Sequence, residues 1–270
     1  MPELPEVETS RRGISPHIVG KRLKGLIIRQ TRLRWPIPEN LATLLTEQTL
    51  TGIQRRGKYL LLAFGQGHVL LHLGMSGSLR IASLADAPGK HDHIDWLFAD
   101  GTVLRYNDPR KFGAVLWTTC PEQHPLLVDL GPEPLTAAFN GDHLFQRSRK
   151  QRIPIKSFIM DNHIVVGVGN IYANESLFKT GLHPNREAAS IDASTYTQLA
   201  DNIRQVLDSA ITQGGTTLRD YVNPQGKPGY FQQTLNVYGR RGQPCRCCGA
   251  LIEQIKIGQR ASYFCPHCQS

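Results

Sequence analysis

Four cysteines near the end of the chain constrain its fold more than any other feature. They form two Cys-x-x-Cys pairs separated by sixteen residues: Cys245 with Cys248, and Cys265 with Cys268. Each pair can direct two thiolates at one ion, and two pairs complete a tetrahedral zinc site that leaves no open position for catalysis. The pattern predicts one structural zinc ion, with reduced or redox-active thiols as the alternative. Cys120 and Cys247 break the spacing and are predicted to be non-ligands.

The balance of charge indicates a polyanionic partner. The 270 residues include 31 Lys and Arg against 22 Asp and Glu, a formal net charge of +9. Phosphate contacts release counterions and favour binding without sequence readout, so nucleic acid is the expected partner class. No apolar run approaches membrane-spanning length, and the start lacks the basic and apolar regions of a secretory signal. We expect a monomer in the cytoplasm, bound to no membrane.

The N-terminus has unusual chemistry, because its first eight residues include two prolines and three carboxylates. If Met1 is removed, Pro2 becomes a free secondary amine. An α-amino group has a pKa of about 8, well below that of lysine, so much of it can attack a carbonyl carbon at neutral pH. The resulting iminium is an electron sink that would let a bound sugar expel its 3′ phosphate. Glu3 and Glu6 are placed to flank this amine, although an ordinary acidic helix start is the alternative.

The segment from Ile53 to Trp117 has a pattern typical of strands, enough for a β-sandwich behind an N-terminal helix. The predicted strands are residues 58–64, 68–73, 92–98, 102–106 and 113–118. The first helix is predicted to end near Gly13 to Pro16, and a short second helix covers residues 41–45. The basic segment that begins at Lys21 is interpreted as a solvated face.

The rest of the chain is predicted to be helical until the zinc hairpin. The segment 131–135 contains two prolines and a glycine and is the predicted linker. It separates a catalytic sandwich domain, residues 1–130, from a helical domain, residues 136–236, and a zinc finger, residues 237–270. The fold class is therefore α+β and multidomain, and a loop around Lys227 is predicted to be mobile.

Two loops of the sandwich carry large side chains beside glycines. Met75 lies between Gly74 and Gly77, and Arg110 and Phe112 are two residues apart. Such residues commonly cap the edge of a core. Taken together, they also suit an enzyme that rotates a nucleotide out of a duplex, since apolar wedges fill the gap and a guanidinium can bond the orphan base.

Three strings of residues resemble one family of enzymes. Pro2–Thr9, Gly167–Glu175 and the cysteine pattern are similar to the formamidopyrimidine-DNA glycosylases, bacterial repair enzymes that remove 8-oxoguanine and ring-opened purines. The resemblance runs from residue 2 to residue 268. It implies a β-sandwich, a helix-two-turn-helix domain and a zinc-finger hairpin. It also implies base excision through a Schiff base at Pro2, followed by β- and δ-elimination on damaged double-stranded DNA.

The resemblance implies a role for individual residues. Pro2 is the expected nucleophile, Glu3 the acid and base, and Glu6 an orienting group. Lys58 is expected to donate a proton in β-elimination, and Arg260 to bind phosphates and assist δ-elimination. The expected DNA contacts are His72, Met75, His91, Arg110, Phe112, Lys156, Asn170 and Tyr238.

Two other functions fit parts of the sequence. An endonuclease VIII-like enzyme shares the fold and the proline but acts on oxidised pyrimidines; Leu4, Met75, Arg110 and Phe112 favour the purine branch. A non-catalytic DNA-binding protein would use the helical and zinc modules alone and would not need Pro2. In the family the loop around Lys227 can close over the flipped base, although an ordinary surface loop also fits the composition.

Overall fold

The computed structural model describes residues 2–214 and 235–270. Met1 and the segment 215–234, which contains the loop predicted around Lys227, lie outside the described residues. The chain divides into two compact units. Residues up to Val128 belong to the first unit, and the second combines Asp129–Thr212 with the C-terminal residues from 235 onward.

The first unit begins with helix α1, Leu4–Ile18. Glu3 is the N-cap, and a reciprocal capping box joins it to Glu6. The Glu3 side chain accepts the Glu6 backbone N–H, and the Glu6 carboxylate accepts the Glu3 N–H at 2.8 Å. This exchange satisfies two donors that would otherwise be orphaned at the helix start.

Helix α1 ends later than the sequence predicts. A proline inside a helix removes one backbone hydrogen bond, which is why we expect an end between Gly13 and Pro16. The helix instead continues through Pro16 to Ile18. Ile14 and Ile18 are fully buried, and the free energy of burying these side chains offsets the missing bond.

Eight strands form the β-sandwich predicted for this unit. Their bounds are β1 Leu23–Ile28, β2 Gly52–Arg56, β3 Tyr59–Phe64, β4 Gly67–His72, β5 Ser78–Ser83, β6 Asp92–Phe98, β7 Thr102–Asn107 and β8 Ala114–Thr118. One antiparallel sheet has the order β1-β6-β7-β5 and the other β2-β3-β4-β8. The predicted fold class is confirmed, and the short helix α2 is found at Leu41–Leu45.

The two sheets share one core with α1. Side chains from both sheets and from the helix pack in it, and Trp96 and Tyr106 are its largest fully buried members. β1, β2 and β5 are absent from the predicted strands. All three lie at the edges of their sheets, where half-exposed residues weaken the alternation on which prediction depends.

The second unit combines helices with a zinc-type hairpin. Its helices are α3 Gly141–Ser148, α4 Ile155–Ile159, α5 Asn170–Thr180 and α6 Ala193–Thr212. Helix α5 ends at Thr180 and is capped by Gly181, which has φ +75°, a conformation that glycine adopts without a Cβ penalty. The hairpin consists of antiparallel β9 Glu253–Ile257 and β10 Arg260–Phe264.

Candidate active site and nucleic-acid interface

The start of α1 holds two buried carboxylates beside Pro2. Glu3 is 2% exposed and Glu6 is fully buried, and Pro2 is buried as well. The capping box fixes both acidic side chains relative to the backbone at the proline. Pro2, Glu3 and Glu6 therefore lie together, as the sequence predicts.

Three arginines around the buried Glu8 carboxylate connect α1 to the turn that carries Lys58. The Glu8 carboxylate bonds Arg11 at 2.7 Å, Arg12 at 2.8 Å and Arg55 at 3.3 Å. Arg55 also donates to the carbonyl of Gly57, next to Lys58, at 3.0 Å. Burial raises the pKa of Glu8, but the hydrogen bonds and charges of the arginines outweigh it and lower the pKa to about 2.

Lys58 and His72 lie at the same end of the second sheet. Tyr59, the residue after Lys58, pairs with His72 across β3 and β4, and their rings are 4.8 Å apart. Burial lowers the pKa of His72 to about 4, helped by the charges of Lys58 and Arg34. The Gly74 N–H donates to His72 Nδ1 at 3.0 Å, so the neutral ring carries its proton on Nε2, where it can donate.

Two loops cross between the sheets at this end of the sandwich. Residues 73–77 join β4 to β5, and residues 108–113 join β7 to β8. The loops touch through their backbones: a Cβ on Gly74 would lie 2.5 Å from the Gly113 nitrogen. Gly74 also has φ +65°, so glycine is required there by conformation as well as by space.

The predicted wedge residues sit on these touching loops. Met75 is 39% exposed and Phe112 is 45% exposed, so large apolar side chains face solvent on both loops. The Arg110 guanidinium lies over the Phe112 ring, 4.9 Å from its centroid. The structure thus brings Met75, Arg110 and Phe112 to one exposed rim. His91 adjoins it, because its carbonyl accepts the backbone N–H of Asp108 at 3.0 Å.

In the second unit, Lys156 supports the hairpin. The Lys156 side chain is buried, and its ammonium donates to the Ala261 carbonyl at 2.9 Å and the Ser262 hydroxyl at 2.6 Å. Asn170, the first residue of α5, donates to the same carbonyl at 3.2 Å. The placement of Lys156 favours a supporting role over the direct DNA contact expected from the sequence, whereas Asn170 is only partly buried.

Arg260 projects from the end of the hairpin that α4 and α5 support. It is exposed and follows a two-residue turn in which Gly258 and Gln259 both have positive φ, as a tight type I′ hairpin turn requires. A cation on a hairpin fixed in this way can meet a phosphate at low entropic cost.

Tyr238 is held by a buried carboxylate that sequence reasoning missed. Glu175 Oε1 accepts the backbone N–H of Val237 at 3.0 Å and of Tyr238 at 2.9 Å. Its Oε2 accepts the Asn236 N–H at 2.8 Å and the Asn236 side chain at 3.1 Å. The Tyr238 ring packs edge-on against Tyr263, with centroids 5.2 Å apart. Glu175 therefore positions a predicted DNA contact.

The four predicted cysteines form a single cluster. Their sulfur atoms all lie within 4.8 Å of one another. Cys245 Sγ is 3.9 Å from Cys268 Sγ, and Cys248 Sγ is 3.4 Å from Cys265 Sγ. A tetrahedron with Zn–S bonds of about 2.3 Å has edges of about 3.8 Å, so these sulfurs fit the ion. Cys120 and Cys247 are outside this cluster.

Three family models match the chain. They describe the formamidopyrimidine-DNA glycosylase N-terminal domain over residues 1–115, the formamidopyrimidine-DNA glycosylase H2TH domain over residues 130–222, and a zinc finger found in FPG and IleRS over residues 242–270. The third match agrees with the sulfur geometry, and the cysteine cluster is a site for one structural zinc ion.

Relatives cover the chain from end to end. The formamidopyrimidine-DNA glycosylase of Methylococcus capsulatus is 56% identical over 270 residues, 100% of each chain. A solved complex of the Lactococcus lactis Fpg with DNA containing an abasic site is 36% identical, with a TM-score of 0.91 over 100% of each chain. Another, with FAPY-dG-containing DNA, is 36% identical, with a TM-score of 0.91 over 99% of this chain and 100% of that one.

The chain therefore belongs to the formamidopyrimidine-DNA glycosylase family, as its motifs predict. Among the helices of residues 2–214 and 235–270, none combines the length and the apolar character needed to cross a membrane.

Proposed function

We propose that this protein is a bifunctional DNA glycosylase and lyase that removes oxidised purines, 8-oxoguanine and formamidopyrimidines, from duplex DNA. The observation that carries the proposal is the N-terminal arrangement, in which Pro2 precedes a helix whose first two carboxylates are buried. The nucleoid DNA of a bacterial cytoplasm is then its place of action.

In the proposed reaction, the Pro2 nitrogen forms a bond to C1′ as the glycosidic bond breaks and the base leaves with the bonding electrons and a proton. The proline must first be freed of Met1, because an amide nitrogen is not nucleophilic. Glu3 serves as acid and base at the sugar, and Glu6 holds Glu3 through the capping box. The C1′–O4′ bond then breaks, its electron pair goes to O4′ with a proton from Glu3, and the secondary amine becomes a cationic iminium that activates the C2′ proton.

Strand cleavage follows from that iminium. Removal of the C2′ proton sends its electron pair toward the iminium, and the C3′–O bond breaks with the phosphate as leaving group. Lys58 supplies a proton in this step. A second elimination removes the C4′ proton and breaks the C5′–O bond, with the phosphate held by Arg260 as leaving group, and a one-nucleotide gap remains. Water then hydrolyses the iminium and frees Pro2 from the sugar remnant. His72, Asn170 and Tyr238 hold the phosphates around the lesion, and Met75, Arg110 and Phe112 fill the vacated stack.

The test compares the parent protein, free of Met1, with Pro2→Gly on duplexes that contain either 8-oxoguanine opposite cytosine or thymine glycol. We expect the parent to cleave the first duplex faster, and Pro2→Gly to lose base excision while it keeps most of its lesion binding. Pro88→Gly, in an exposed loop, is the matched control and should retain activity. Faster cleavage of thymine glycol would contradict the substrate assignment, and full activity of Pro2→Gly would contradict the mechanism.

A further inference from the structure

We propose that Asp108 is a positioning residue for base extrusion. Its carboxylate, together with the Ser76 hydroxyl, locks the loops 73–77 and 108–113 into the arrangement that presents Met75, Arg110 and Phe112 as one unit. This inference rests on the proposed function, because it assigns a task within the same reaction. Neither Asp108 nor Ser76 stands out in the sequence.

The Asp108 side chain is fully buried and accepts four hydrogen bonds. Oδ1 accepts the Ser76 hydroxyl at 3.0 Å and the Arg110 backbone N–H at 3.3 Å. Oδ2 accepts the Gly113 backbone N–H at 2.8 Å and the Tyr106 hydroxyl at 3.1 Å. Donors from both loops and from β7 therefore converge on one carboxylate.

Ser76 makes the link between the loops direct. Its hydroxyl donates to Asp108 and also accepts the Arg110 backbone N–H at 3.3 Å. Ser76 follows Met75 in the chain, and Arg110 is the residue predicted to face the orphan base. One hydroxyl thus couples the backbone beside the methionine wedge to the backbone of the arginine.

The requirement is for a carboxylate and not merely for a polar side chain. All four partners are donors, and an ionised carboxylate is acceptor-only, with about four lone-pair sites. An asparagine would turn an NH₂ group toward at least one of these donors. Burial first, and then the Asp108 charge, raise the pKa of Tyr106 well above its ordinary value, so the phenol stays a donor.

The main chain of Asp108 extends the lock to the neighbouring strand. Its N–H donates to the His91 carbonyl at 3.0 Å, and its carbonyl lies 2.8 Å from His93 Nε2. The loop 108–113 is also closely packed against β7, since a Cβ on Gly113 would lie 1.8 Å from the Tyr106 hydroxyl. Asp108 therefore joins three segments that the proposed function uses at the same time: the loop 73–77, the loop 108–113 and the start of the strand next to His91.

Positioning should matter only when the base has to leave a stack. Wedge residues on a preorganised rim enter the duplex without first ordering their loops, which lowers the cost of extrusion. A single-stranded abasic site has no stack to open and no orphan base to contact. Loss of the lock should therefore slow excision from a duplex and spare lyase chemistry on the single strand.

The experiment measures two activities of Ser76→Ala and Asp108→Asn in the full chain. One is excision of 8-oxoguanine opposite cytosine from a duplex under single turnover, and the other is cleavage of a single-stranded oligonucleotide that contains an abasic site. Ser83→Ala and Asp86→Asn are matched controls, because both residues are exposed at the end of β5 and the turn after it. There the Asp86 carboxylate accepts the Ser83 backbone N–H at 2.7 Å and the Ser83 hydroxyl accepts the Ala85 N–H at 3.0 Å. Extrusion is followed separately by the fluorescence of 2-aminopurine beside the lesion.

We expect Ser76→Ala to slow duplex excision and the fluorescence change by about tenfold, the order expected for a lost hydrogen bond to a charged group. Single-strand cleavage should stay within about twofold of the parent. Asp108→Asn should show the same split with a larger loss. Unchanged duplex excision by Ser76→Ala would overturn the inference, and so would an equal fall of both activities, which marks a merely structural role. A parent without duplex excision would instead overturn the proposed function.

Discussion

Buried carboxylates, each satisfied by several donors, shape this protein at the scale of single residues. Glu8 binds three arginines, Asp108 binds groups from two loops, and Glu175 binds three consecutive backbone N–H groups. A buried charge is tolerated when its partners offset the loss of hydration. Each of these carboxylates helps to position the segment that carries an expected site residue, which is Lys58, Arg110 or Tyr238.

The unusual pKa of His72 leads to a prediction about pH. In the unfolded chain the imidazole binds a proton near pH 6.5, whereas in the folded protein it does so at about pH 4. Between these values only the unfolded state takes up the proton. The contribution of neutral His72 to the free energy of unfolding is therefore fully present above pH 6.5 and is lost as the pH falls toward 4. The direct measurement is an NMR titration of the imidazole, assigned with His72→Gln. A midpoint near 6.5 would contradict the prediction.

The sequence identified residues with intrinsic chemistry better than it identified those that support them. Pro2, Glu3 and the zinc cysteines were found because their reactivity or spacing is visible locally. Glu175 was missed because its partners Asn236 to Tyr238 are more than sixty residues away, and only the fold brings them together. Lys156 was expected from the resemblance to contact DNA, and nothing nearby in sequence indicated the carbonyl of Ala261 that accepts a hydrogen bond from its ammonium.

At the scale of elements, the inner strands of the sandwich were predicted well, whereas three of its four edge strands were not. β3, β4, β6 and β7 are buried and bounded by turn residues, which gives a strong strand signal. β1, β2 and β5 are half-exposed edge strands that the pattern did not reveal. The crossing loops could be recognised as unusual, but their contact at Gly74 and Gly113 depends on the packing of the two sheets.

The zinc hairpin gives a prediction with a built-in control. Cys265→Ser should lose the bound zinc, the order of the hairpin and DNA affinity, because structural zinc contributes on the order of 10 kcal/mol of binding free energy to such modules. Cys247→Ser changes a neighbouring thiol outside the cluster and should keep one zinc per chain. Metal content by mass spectrometry and DNA binding by fluorescence anisotropy check both variants. Zinc loss in Cys247→Ser would contradict the ligand assignment.

At the scale of the whole molecule, the net charge of +9 favours binding to a polyanion such as DNA. The logarithm of the DNA-binding constant should fall linearly with the logarithm of salt concentration, by about 0.9 for each phosphate contacted. Arg260→Ala should weaken binding and make this slope shallower by about 0.9, the value for one phosphate contact. Arg22→Ala removes an arginine already paired with Glu47 at 2.8 Å and should leave the slope unchanged. An unaltered slope in Arg260→Ala would count against its phosphate role.

The most direct test of the account is borohydride trapping of the protein on DNA. The protein, free of Met1, is incubated with a duplex that contains 8-oxoguanine opposite cytosine, then reduced, digested and mapped by mass spectrometry. The account predicts a stable adduct on the Pro2 nitrogen. An adduct on Lys58 or another lysine, or no adduct from folded, zinc-loaded protein, would contradict the claim that Pro2 is the nucleophile.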